Sequence, residues 1–158
     1  MNGFIPDKIG LKQADVPFFE DQSEQKIPGR GTEKTQENLK GEIISLMAKL
    51  GAGGVLFIQG TYPGERKRYG YQIQFNINGV PGRFDVAALP IKSETAVKKD
   101  RALAQALYLI RNWLEAEHFS AVYRPGAVAL LPYLIGEGGQ TLTEAIIAGG
   151  KLPLLVSG

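Results

Sequence analysis

Two groups of cations are the residues whose types and spacing offer chemistry. Arg66, Lys67 and Arg68 follow Tyr62-Pro63-Gly64 in a turn, and Lys98, Lys99 and Arg101 fall in the first turns of a helix, with Lys92 just before it. The free N–H groups at a helix start already carry positive potential. Acidic side chains are therefore favoured there, and each exposed base costs on the order of 0.3–1 kcal/mol. Only Glu94 and Asp100 offset these bases locally. Cations set against the backbone field suit a phosphate or carboxylate, because a helix N-terminus with added positive charge binds anions. With Arg83 on an intervening strand, the expected nucleic-acid or anion-binding set is Arg66, Lys67, Arg68, Arg83, Lys92, Lys98, Lys99 and Arg101. The plain alternative is a solvated loop and a solvated helix face.

Other chemistry fails on residue type or spacing. The chain has no Cys, so it has no disulfide framework, no thiolate nucleophile and no Cys-ligated metal site. Gly136-Glu137-Gly138-Gly139-Gln140-Thr141 lacks the Lys of a phosphate-binding loop. Gly51-Ala52-Gly53-Gly54 lies after a helix and before a strand, the reverse of a dinucleotide fold. No Ser sits in a nucleophile elbow. The single His, His118, has no placeable partner and is expected to interact with a helix C-terminus. Asp85 with Lys92 would suggest a nuclease-like site, but the usual second acid is missing, so a cross-strand hydrogen bond to Gln72 is the expectation. The reading is a non-enzymatic binding protein with no metal and no cofactor.

The elements that must position these residues are legible. At 158 residues, with 44% apolar side chains, the chain fits one domain able to bury a core. Leu39, Ile43, Leu46, Met47 and Leu50 form one stripe of a helix over about 36–50, capped by Thr32 or Thr35 and ended by Gly51. The continuous run Val55 to Ile58 predicts a strand buried on both faces. In the next strand Tyr69, Tyr71, Ile73, Phe75 and Ile77 alternate with Gln72, Gln74 and Asn76. Asn78-Gly79 predicts a type I′ hairpin with Ile77 facing Val80, Ile73 facing Phe84, Tyr71 facing Val86, Gln74 facing Arg83 and Gln72 facing Asp85. Pro81 marks the third strand as an edge at that point. A second helix is expected over about 94–118, capped by Ser93 or Thr95, with Val97, Leu103, Ala106, Leu107, Ile110, Trp113 and Leu114 on its buried face and Lys98, Arg101, Gln105, Asn112 and Glu115 on its wet one.

After Arg124-Pro125-Gly126 comes an apolar segment, 127–135, of helix or strand type. Thr141 and Glu144 then have capping-box spacing for a short helix ending near Gly149. The expected fold is α+β, a three-stranded antiparallel sheet with flanking helices in α-β-β-β-α order, plus a C-terminal apolar segment and short helix. Residues 1–34 lack periodicity and read as a flexible N-terminal arm, leaving 35–158 as the domain. Within the arm, Val16, Phe18 and Phe19 adjoin Glu20 and Asp21, a cluster expected to fold back on the domain or to dock on another protein. Residues 60–111 carry 9 basic against 4 acidic side chains, whereas 1–59 carry 7 against 8 and 112–158 carry 2 against 4. No stretch approaches the roughly 20 apolar residues of a spanning helix and the start does not read as a signal peptide, so a cytoplasmic protein without membrane contact is expected.

Helix, three antiparallel strands and a helix opened by paired lysines resemble the element order of a double-stranded-RNA-binding domain over about 36–118. That resemblance implies duplex contacts from Arg66, Lys67 and Arg68 in the first strand loop and from Lys98, Lys99 and Arg101 at the helix. The family's Pro-x-His in the loop and its Gly-x-Gly-x-Ser before the lysines have no counterpart here. The stretches QALYLIRNWLEAEHFS and RPGAVALLPYLIGEGG resemble a family of uncharacterised bacterial or phage-associated proteins, a likeness that implies no activity. The expected partner is nucleic acid. The alternative is self-association or another protein, through the apolar tail Leu152 to Val156 and the arm.

Overall fold

The stripe of Leu39, Ile43, Leu46 and Met47 closes on the core: the computed structural model, which describes residues 16–124 and 130–149, has a first helix, α1, at Gln36–Lys49 with all four buried. The Thr35 hydroxyl accepts the Asn38 N–H at 3.2 Å and starts it. Gly51, at φ 88°, ends it in the left-handed region as expected.

Three strands follow, β1 (Ala52–Tyr62), β2 (Arg68–Ile77) and β3 (Val80–Ala87), antiparallel in the order β1-β2-β3. Asn78 and Gly79 take φ 50° and 79°, which gives the primed turn. Every expected pair from Ile77 with Val80 to Tyr71 with Val86 is present. One face of the sheet buries Tyr71, Ile73, Phe75, Phe84 and Val86, each contributing on the order of 1.5–3 kcal/mol of transfer free energy.

One strand departs from expectation. The run at 55–58 is not buried on both faces: β1 is an outer strand, and Leu56 and Ile58 are 53% and 43% exposed on the face away from the core. A continuous apolar run marks a strand but carries no period to show which face is covered. The register also shifts between Gly53 and Leu56, with Gly54 at φ 61°, a bulge in the outer strand.

The second helix, α2, spans Ala96–Tyr123 and is capped by Thr95, whose hydroxyl accepts the Lys98 N–H at 3.1 Å. Two of its positions reverse the expected faces: Val97, in the first turn, is 72% exposed, and Gln105 is buried because residues 22–28 lie over it and take its hydrogen bonds. It runs five residues beyond the expected end, up to Arg124, which precedes Pro125 and is thereby steered out of the helical region. His118 is consequently not at a helix end. It lines an open groove between α1 and α2. The helices run side by side in one direction, with Gln36 Nε2 donating to Asp100 Oδ1 at 2.8 Å and Arg111 Nε 3.8 Å from Glu42. At 28 residues against 14, α2 is about 42 Å long and α1 about 21 Å, so the end of α2 overhangs.

Beyond 129 the chain returns to the sheet. The Tyr133 ring packs edge-on against Phe84 and Trp113, with all three centroid separations at 5.6 Å. Leu134 bridges to Gly82, and the Ile135 N–H donates to the Pro81 carbonyl at 2.9 Å, covering part of the β3 edge. The capping box forms: the Glu144 N–H donates to Thr141 Oγ1 at 3.1 Å and the Thr141 N–H to Glu144 Oε1 at 2.9 Å, opening α3 (Leu142–Gly149). Residues 130–135 are thus a short 3-10 turn and a bridge. The rest of the ambiguous segment, and the apolar tail from Leu152 to Val156, lie outside the described residues.

Residues 16–34, the second half of the expected arm, lie along the domain. Phe19 packs on the core, Gln22 is buried, and Gln105 Nε2 donates to Gln22 Oε1 at 2.5 Å and to the Pro28 carbonyl at 3.2 Å. A 3-10 turn (Phe19–Gln25) and point contacts of this kind leave no hydrophobic period for a sequence to display. No helix among the described residues is long and apolar enough to cross a membrane.

Candidate functional site

The two basic clusters, some thirty residues apart in sequence, meet at one corner of the sheet. The β1–β2 loop carries Arg66 and Lys67, β2 begins at Arg68, and the segment entering α2 brings Lys92, Lys98 and Lys99. Two aromatic rings organise them. Arg66 and Lys92 lie over Phe18, at 4.1 and 5.2 Å from its centroid, and Lys67 and Lys99 lie over Tyr69, at 4.8 and 4.4 Å. Such contacts hold a cation through the negative face of the ring.

Carboxylates answer most of the charge. Lys98 Nζ is 3.2 Å from Glu20, Lys92 Nζ 2.5 Å from Asp21 and Lys67 Nζ 3.6 Å from Glu94. Glu20 also accepts the backbone N–H groups of Lys92 and Ser93, at 3.0 and 2.9 Å. Desolvation pushes its carboxyl up, but the Ser93 and Lys92 N–H groups and the Lys98 ammonium outweigh it and bring the carboxyl down to about 2. Arg101 pairs with Asp100 at 3.2 Å and donates to the Thr32 and Lys34 carbonyls at 2.9 and 3.3 Å. Arg83 stands apart on β3, pairing with Glu144 at 2.6 Å and donating to the Gly139 carbonyl.

Arg66, Arg68 and Lys99 have no carboxylate within 4 Å among the described residues. Arg68 donates to the Ala88 and Ala87 carbonyls at 2.8 and 2.9 Å, and burial lowers its pKa. Six of the eight expected residues are therefore at one corner, Arg101 is turned to the Thr32 and Lys34 carbonyls, Arg83 is elsewhere, and five of the eight are in ion pairs. Phe18, Glu20 and Asp21, which supply an aromatic platform and two of the counter-charges, were visible in sequence as an aromatic-acidic cluster within an aperiodic segment.

The face of the sheet away from α1 and α2 is chemically different, open towards β1 and bordered by Ile135 and Glu144 at β3. Its rows are Leu56, Gln74 and Arg83, then Ile58, Gln72 and Asp85. Gln74 Nε2 donates to Gln72 Oε1 at 3.0 Å, whereas Gln72 reaches Asp85 only at 3.5 Å. The main partner of Asp85 is Tyr62, whose hydroxyl donates to it at 2.8 Å and whose pKa is raised by desolvation and by that carboxylate. The groove between the helices has charged walls paired with each other, Lys34 with Glu42 at 2.7 Å and Arg111 with Glu115 at 2.6 Å. Among the described residues no three His, Asp or Glu side chains are grouped to hold a metal ion. No family model, curated protein or solved structure matches the chain.

Proposed function

We propose that this protein is a non-enzymatic protein-interaction module. The observation that carries this reading is the overhanging end of α2, where Phe119, Val122 and Tyr123 are 59%, 76% and 84% exposed. Their spacing places them on one helical stripe, the arrangement by which a helix enters an apolar groove of a partner. Large apolar side chains grouped in water mark contact surfaces, and among the described residues only the His118 ring, 5.4 Å from that of Phe119, accompanies them. A photoreactive residue at Val122, activated in cells that make the protein, should give a discrete adduct with a second polypeptide that Phe119→Asp removes. Absence of any polypeptide adduct there and at Ile58 would end the reading.

A second reading, nucleic-acid binding, is supported by one observation: Arg66, Lys67, Arg68, Lys92, Lys98 and Lys99 gather at one corner although they come from two separate parts of the chain. Such a patch would act through phosphates and be strongly salt-sensitive. Fluorescence anisotropy with duplex and single-stranded oligonucleotides at two salt concentrations tests it. No binding at low salt rules it out.

A further inference from the structure

We propose that two copies of this chain join through their β1 strands, antiparallel, so that two three-stranded sheets become one of six strands. This adds a second contact surface beyond the α2 stripe and rests on the protein-interaction reading. The two edges of the sheet are treated differently. At β3 the edge carries Pro81 and is partly covered by Leu134 and Ile135. At β1 no described residue other than those of β2 pairs with the strand.

An uncovered edge is a template for another strand, and proteins that stay monomeric blunt it with charge, proline, short length or a bulge. Of these devices strand β1 has only the bulge. It is 11 residues long, AGGVLFIQGTY, without a charged residue or a proline. Its bulge falls near its beginning, between Gly53 and Leu56, so residues 56–58 lie clear of it on both copies when the pairing centres on Phe57.

The occupant follows from charge and symmetry. An edge with no charge gives an acidic or basic foreign strand nothing to hold, but it meets its own copy without like-charge repulsion. A two-fold axis at Phe57 puts Leu56 opposite Ile58 of the partner subunit, and the reverse, which makes two apolar cross-strand pairs on the open face. The helical side has a matching feature. Lys40 Nζ lies over the Phe57 and Tyr71 rings, so its side of α1 follows β1, and Ile44, one turn on, is 46% exposed. The same two-fold draws the two α1 helices together on that side, so the dimer accounts for exposed apolar residues on both layers.

Light scattering on the full chain should give twice the chain mass at roughly 100 µM, where a complex with a Kd of ~10 µM is mostly formed. Leu56→Lys with Ile58→Lys should give the single-chain mass with unchanged circular dichroism. If that variant fails to fold, Ile58→Thr replaces it and should weaken association at least tenfold. The chain has no Cys, so a mixture of Leu56→Cys and Ile58→Cys proteins should form disulfide dimers faster than either protein alone. A wild-type monomer, a dimer indifferent to substitution at both positions, or equal cross-linking rates would overturn the proposal. A monomer that still forms a polypeptide adduct from Val122 would refute the dimer alone. A monomer without adducts would remove the interaction reading as well.

Discussion

Glu20 Oε2 lies 3.2 Å from the ammonium of Lys98, and the same carboxylate receives the backbone N–H groups of Lys92 and Ser93. These are the donors a phosphate would use at that place, and the chain meets them with an acid of its own. The bases placed against the α2 dipole thus have an internal explanation. Glu20→Gln should cost about 1.5–3 kcal/mol at neutral pH, as expected for hydrogen bonds to a charged group. The carboxyl is depressed from 4.5 to about 2 on folding, so its contribution is full above pH 4.5 and fades as pH falls towards 2. Thermal melts should therefore show wild type and variant separated at neutral pH and converging through that window. A separation that stays constant down to pH 2 would refute this role for Glu20.

Lys99 and Arg66 sit on aromatic rings with no carboxylate within 4 Å among the described residues, so reversing them removes surface charge without stranding a buried acid. Under the nucleic-acid reading, Arg66→Glu with Lys99→Glu should weaken oligonucleotide binding and lower the slope of log affinity against log salt by about 1 for each phosphate no longer neutralised. Glu20→Gln, which releases Lys98, should strengthen it. Affinity that ignores both changes would place any nucleic-acid contact elsewhere on the protein.

Much of this architecture was readable because it rests on local periods. The alternation from Tyr69 to Ile77 and the Asn78-Gly79 turn determined the hairpin register, and the Thr141 and Glu144 spacing announced a cap that forms on both sides. Strand β1 was only half readable, since Leu56 and Ile58 look the same in sequence whether a layer covers them or not. The corner around Phe18 was least readable. Its carboxylates reach cations more than 70 residues away, and contacts of that range leave no periodic trace.

Two glycines test the sheet in different ways. A Cβ at Gly82 would lie 2.5 Å from the Phe75 ring, whereas one at Gly70 would run into the Val86 backbone carbonyl as well as the Tyr62 ring. A ring can turn aside but a strand carbonyl cannot without breaking its ladder. Gly82→Ala should cost about 1–3 kcal/mol, typical of overpacking, and Gly70→Ala more than that. Denaturant titration should rank them in this order, and Gly70→Ala should also disturb the Tyr62 to Asp85 hydrogen bond. Equal costs would mean that the strand yields as easily as the ring.

Arg83 and Glu144 tie the first turn of α3 to the polar face of the sheet. The Glu144 carboxyl is held below its ordinary value chiefly by the Thr141 N–H, with Arg83 adding to it. Capping, not the ion pair, should therefore dominate its energetics. Glu144→Gln should cost about 1 kcal/mol and Thr141→Ala a similar amount, both by loosening the cap. Arg83→Gln should cost less, because a pair with 23% and 44% of its side chains exposed is screened by water. A double-mutant cycle on Arg83 and Glu144 should give a coupling below about 1 kcal/mol, shrinking in high salt. A coupling larger than the loss from Thr141→Ala would reverse this ranking and make the ion pair the clasp that holds the C-terminal segment to the sheet.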